Sequence, residues 1–130
     1  MVAMPWMFAW IGLGAACGAC LRWVLGLQLN AYLSVLPLGT LLANWLGAFL
    51  MGLAMAGFGA WPEMSPALKS ALTTGFLGGL TTFSTFSAEA VMLLQSGQYA
   101  AFLLHMGLHV IGSLLLTLAG FWLANLCFAA

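Results

Sequence analysis

The chain has 130 residues, of which 65% are hydrophobic and 3% charged, and its formal net charge is zero. Soluble domains carry about 25% charged residues, so a soluble domain is excluded and an integral membrane protein is indicated. The four charges, Arg22, Glu63, Lys69 and Glu89, form no basic patch, which removes the electrostatic basis for binding nucleic acid.

A helix crossing the hydrocarbon core needs about 20 apolar residues. The first such stretch runs over about 5–25. It is too long, and lacks the charged leading region, for a cleavable signal peptide to be expected. Cys17 and Cys20 have the spacing of a metal or redox pair, but no further ligands stand near them, and they read as small packing residues. Arg22 is expected at the end of this span, able to snorkel to an interface.

Asn30, Ser34 and Pro37 mark the first loop, and the second span covers about 36–58. Asn44 falls about three residues from its centre, roughly 4–5 Å along the axis. Its amide offers two donors to an anion, although interhelical hydrogen bonding is the alternative. Thr40, Asn44, Ala48 and Gly52 recur every fourth residue, a face suited to close packing or to lining a narrow passage.

Gly57, Gly59, Pro62 and Pro66 mark the second loop, and the third span covers about 67–94, beginning near Lys69. Its centre holds the most informative segment, residues 75–87, GFLGGLTTFSTFS. Glycines, five hydroxyls and three phenylalanines stand where lipid-facing Leu or Val is expected, so the stretch must be buried in protein or line a cavity. Two readings stay open for Gly75, Gly78, Gly79 and Thr81. One is a helix broken at mid-membrane, with carbonyls free to hold a cation. The other is close packing through Gly75 and Gly79. Phe83 and Phe86, three apart, share a helix face and can offer their electropositive ring edges to an anion. Glu89 lies about eight residues past the centre, roughly 12 Å, at a pore mouth or solvated.

Gln95, Ser96 and Gly97 make a tight turn before the fourth span, about 98–127. His105, His109, Ser113 and Thr117 follow at spacings of four and form one polar stripe. Two histidines so spaced can bind zinc, but no H-E-x-x-H pattern or acidic third ligand accompanies them, which favours a polar track or a packing contact.

The fold class expected is all-α, a single transmembrane domain over 1–130. Four spans place both termini on one side, Lys69 on that side and Arg22 on the other, a one-to-one balance of positive charge. Either weak signals still fix one orientation, or the chain inserts both ways and pairs as an antiparallel homodimer with two-fold symmetry. With no nucleophile–base pair, phosphate loop or paired carboxylates, an enzyme is not expected.

Residues 18–23, 39–44, 75–87 with Glu89, and 112–117 together resemble the Fluc (CrcB) family of fluoride channels, over nearly the whole chain; 78–87 is the most specific part. The resemblance implies a dual-topology dimer of four-helix subunits with a broken third helix and two fluoride pores, in the inner (plasma) membrane. Fluoride would leave the cell by passive electrodiffusion, lowering its cytoplasmic level. It implies that Asn44 lies along the pore, that Phe83 and Phe86 contact fluoride, and that Ser113 and Thr117 belong to a polar track. Carbonyls at Gly78 to Thr81 would hold a central sodium ion. Ser84 and Thr85 join the fluoride path on this reading, with Arg22, Thr40, Glu89 and His109 as pore-mouth or structural candidates. The family pattern often carries a hydroxyl or another residue near the position of His109, so the resemblance assigns His109 no role. The runner-up is a small multidrug-type proton-coupled exporter, which needs a deep ionisable residue that span one lacks. The third reading is a structural membrane subunit without transport of its own.

Overall fold

The computed structural model describes residues 5–128 and is entirely helical. Helix α1 is Pro5–Leu29 and α2 is Leu38–Ala60. The third span is composite: α3, Pro66–Ser70, passes into a π-helical turn, Ala71–Leu77, then α4, Gly78–Leu80, and resumes as α5, Phe83–Gln95. Helix α6 is Tyr99–Phe128. Four stretches, Pro5–Leu29, Leu38–Ala60, Pro66–Gln95 and Tyr99–Phe128, are long and apolar enough to cross a membrane, and the chain is a multi-pass membrane protein.

The boundaries have local chemical causes. Helix α1 continues through Leu25, Leu27 and Leu29 and gives way at Asn30. The Asn30 side chain then caps α2 from the preceding loop: its Oδ1 accepts from Gly39 N at 2.7 Å and Thr40 N at 3.2 Å. Pro37 has no side chain for this task and only fixes the entry φ at −68°. Ser65 caps α3 by accepting from Leu68 N, with Pro66 at the first helical position. The turn into α6 needs Gly97, whose φ is +72°.

In lipid, helices gain little from burying apolar side chains against one another, and small residues that let backbones meet supply the packing. Helix α1 lies along the first half of the third span, and α2 along α6. A Cβ on Gly18 would stand 2.7 Å from Leu80 N, and one on Gly75 2.7 Å from Ile11 O. Across the other seam, a Cβ on Gly52 would stand 2.6 Å from Phe121 N. Gly75 and Gly79 both face α1, and the helix is interrupted two residues after Gly79. The two readings of this glycine cluster are therefore not exclusive: one face packs, and the chain leaves the helix just beyond it.

Arg22 departs from its expected place. Because α1 runs on to Leu29, Arg22 is well inside the helix, and its Nε donates to the Gly79 carbonyl at 3.0 Å. It is tied to the middle of the third span instead of snorkelling to a surface. Lys69 does sit at the start of that span, donating to the Pro62 carbonyl at 3.2 Å and lying over the Phe58 ring.

A polar groove at mid-membrane

Thr81 and Thr82 leave the helix, with ψ of 154° and 119°. In a continuous helix the Thr82 N–H would donate to the Gly78 carbonyl four residues back. Here it donates to Asn44 Oδ1 at 2.7 Å, and Asn44 Nδ2 returns a bond to the Thr82 carbonyl at 3.1 Å. This two-way clamp satisfies both peptide groups of Thr82, which hydrocarbon alone cannot do. The Thr82 hydroxyl then caps α5 by accepting from Thr85 N at 3.1 Å.

The clamp also settles a proton. It fixes which end of the Asn44 amide is nitrogen, and that nitrogen lies 3.1 Å from His109 Nδ1. Nδ1 is therefore the acceptor, and a neutral His109 carries its proton on Nε2. His105 is settled similarly: its Nε2 lies 3.2 Å from the Phe86 carbonyl, which can only accept.

Between α2, the third span and α6 these residues border an open groove of about 400 Å³. Asn44, Phe83, Phe86, His109, Ser113 and Thr117 line it, with Gly78, Thr81 and Thr82 at the interruption. No Asp, Glu, Lys or Arg is in its lining. Thr117 Oγ1 lies 3.0 Å from both the Ala48 and the Ser113 carbonyls, so backbone already holds its single proton.

Phe83 and Phe86 touch edge to face at 5.5 Å, but their surroundings differ. Phe86 is 6% exposed and packs on the rings of His105 and His109 at 5.1 and 4.7 Å. Phe83 is 78% exposed, turned outward from the subunit. Ser84 and Thr85 do not line the groove. Ser84 is exposed, and Thr85 borders a second cavity of about 320 Å³ with Arg22, Asn30, Thr40 and Thr82.

Glu89 is not solvated. Its Oε1 accepts from the Thr40 hydroxyl at 2.7 Å, its Oε2 is 3.7 Å from His105 Nε2, and its side chain is 12% exposed. Thr40 is itself buried. The expectation that no acidic group accompanies the two histidines is thereby corrected: one ligand atom each from Glu89, His105 and His109 lie within 4.8 Å of one another. Glu89 is sixteen or more residues from either histidine in sequence, and the antiparallel return of α6 against α5 brings it to them.

Two contributors escape sequence reasoning. Thr82 is one hydroxyl among five until the backbone turns; threonine is a favoured N-cap residue, but no Glu or Gln stands three residues later to mark a capping box. Trp45, whose indole donates to the Leu108 carbonyl at 2.8 Å, gives no signal at all.

The family model described as CrcB-like protein, Camphor Resistance (CrcB), matches residues 9–121. A protein of Aromatoleum aromaticum named fluoride-specific ion channel FluC is 56% identical over 114 residues, covering 88% of this chain and 87% of that one. Proteins of the same name from Pseudomonas putida and Chromohalobacter salexigens are each 57% identical, over 110 and 107 residues. They cover 85% and 82% of this chain, and 87% and 81% of their own lengths.

Proposed function

The chain belongs to the CrcB family, and from that premise we propose that it is a fluoride-selective channel, conducting by passive electrodiffusion and lowering cytoplasmic fluoride from the plasma membrane. The observation that carries the reading is the mid-membrane groove, lined by an amide, hydroxyls and aromatic edges, with no charged side chain in the lining. A small anion holds its water tightly and needs donors in exchange. Distributed neutral donors supply them without the trap that a fixed cation would make. Ser113, whose hydroxyl is not engaged by backbone as that of Thr117 is, and the ring edges of Phe83 and Phe86 are the contacts this chain offers. Arg22 is spent on the Gly79 carbonyl outside that lining. A proton-coupled exporter fits less well: α1 holds no acid, and Glu89, outside the groove lining, is held by Thr40.

The assembly in this reading is an antiparallel dimer with two pores. Its support is the openness of the groove and the outward Phe83 at a depth where lipid would strand polar groups; a second copy covers them. The carbonyls of Gly78 and Thr81 are assigned to a sodium ion. Gly78 is exposed, and the N–H that would close on its carbonyl is turned away to Asn44, a hard oxygen donor set suited to an alkali cation. Bound there, the ion would supply fixed positive charge between the copies.

Purified protein in liposomes should empty a fluoride gradient rapidly and leave chloride trapped. Equal chloride flux, or flux strictly tied to proton exchange, overturns the channel reading. Reporters fused to the C-terminus should divide between the two sides of the membrane, and a single orientation overturns dual topology.

A further inference from the structure

We propose that Glu89, His105 and His109 form a binding site for a divalent transition metal of zinc's type, and that metal held there blocks the fluoride path. The block rests on the channel reading above; the binding does not.

The first support is the ligand set. Two imidazoles and one carboxylate, from α5 and α6, bring their ligand atoms within 4.8 Å of one another. Ligands around tetrahedral zinc lie about 3.3 Å apart, given metal–ligand bonds of about 2.0–2.1 Å, so side-chain rotations close the gap. Three protein ligands also leave the fourth position open. The second support is independent. Glu89 Oε2 and His109 Nε2 are both buried and have no hydrogen-bond partner among the described residues. His109 is 5% exposed and His105 1%. Buried polar atoms are ordinarily paired, and a shared metal would pair these. The outer shell is partly built as well: the Thr40 hydroxyl holds the other oxygen of Glu89.

Metal binding would reach the groove through the two ring protons. A metal on Nε2 takes the lone pair of that nitrogen, so the single proton of each neutral imidazole must move from Nε2 to Nδ1. At His105 this ends the bond to the Phe86 carbonyl. At His109 it turns Nδ1 from acceptor to donor, facing the Asn44 NH2, which also donates. Asn44 must then present its oxygen and release the Thr82 N–H, opening the clamp at the interruption. A divalent charge beside Phe86 and His109 would also hold an anion where neutral donors let it go. Both effects stop flux.

The test uses the full-length dimer after chelation, with Cys17, Cys20 and Cys127 replaced by Ser, because all three thiols are exposed and would compete for metal. Calorimetric titration with zinc chloride alone should give one zinc per chain, and magnesium none, since magnesium prefers all-oxygen sites. X-ray absorption of the zinc form should show two nitrogen ligands and a carboxylate oxygen near 2.0–2.1 Å. His105→Gln and Glu89→Gln should each weaken zinc binding by more than the roughly ten- to hundredfold that loss of an outer-shell partner costs. Zinc should inhibit fluoride flux of the Cys-free protein, a chelator should restore it, and His105→Gln should flow equally with and without zinc. Absence of binding, binding that survives in both variants, or a shell without histidine overturns the site. Full zinc occupancy with unchanged flux overturns the block. A protein that binds zinc through these ligands yet carries no fluoride leaves the site standing and defeats the channel reading.

Discussion

Two regions at the same depth are built on opposite rules. Along the seam between α1 and the third span, backbone meets backbone, and Gly18, Gly75 and Gly79 matter for what they lack. In the groove, Asn44, Phe86 and His109 matter for the particular atoms they present. Lipid supplies no hydrophobic force to press helices together, so the seam rests on van der Waals contact, which is intolerant of volume but indifferent to chemistry. The groove rests on matched donors and acceptors, intolerant of chemistry but more forgiving of volume. Substitutions of equal size should therefore fail differently in the two places.

The largest effect should come from the seam. Gly18→Val would drive carbon atoms into the backbone of Leu80, where a Cβ alone stands 2.7 Å from the amide nitrogen. No side chain can move aside there, so the helices must part, at a cost at or above the usual 1–3 kcal/mol of overpacking. The expected outcome is loss of the monodisperse peak on size exclusion. A folded Gly18→Val protein with normal flux would mean the seam is looser than drawn.

In the groove, Asn44→Asp keeps volume and changes chemistry. A carboxylate would face the Thr82 carbonyl and the His109 Nδ1 lone pair, acceptor against acceptor at positions now 3.1 Å apart. It would also repel an anion. Fluoride flux should fall about a hundredfold, in line with about 1–3 kcal/mol for a strained buried polar pair, while the protein elutes as wild type does. Equal loss of the folded peak would place Asn44 with the seam.

The phenylalanines sharpen the contrast within the groove. Phe86→Leu removes a ring packed on His105 and His109, and should lower both flux and thermal stability. Phe83→Leu removes an outward ring from the separate subunit, and should lower flux about tenfold with little change in subunit stability. Matching stability losses for the two would show that Phe83 is covered in the assembled protein as deeply as the subunit buries Phe86.

How much of this was legible before the structure follows the same division. The four spans and their breaks are written in hydropathy and in Pro, Gly and Asn at the loops, because chain length against bilayer thickness nearly decides the matter. Asn44, Phe83, Phe86, His109, Ser113 and Thr117 stand out as polar or aromatic residues at helical spacing, and all six line the groove. What could not be read is anything set by one helix lying on another. The spacing placed Arg22 at an interface, but its partner is a carbonyl 57 positions away. The spacing left the histidines without an acid, because Glu89 reaches them only across the α5–α6 turn. Phe83 and Phe86 share a face by periodicity, yet the offset of roughly 60° between residues three apart is enough to bury Phe86 and expose Phe83. Periodicity fixes a stripe and does not say what covers it.

The smallest expected effect separates two hydroxyls one helical turn apart. Thr117 spends its proton on the Ala48 and Ser113 carbonyls, and Ser113 lines the groove beside it. A hydroxyl has one proton to give. Thr117 therefore reaches a passing anion only by releasing α2, whereas Ser113 can turn toward it freely. Ser113→Ala should slow fluoride flux about fivefold at unchanged thermal stability, since a net hydrogen bond is worth about 1 kcal/mol. Thr117→Val, matched in shape, should instead lower stability by about that amount through the lost tie between α2 and α6, with flux within about twofold of wild type. The reverse pattern, flux tracking Thr117 and stability tracking Ser113, would show that the Thr117 hydroxyl turns into the path and that the groove of the single subunit is not the groove the ion meets.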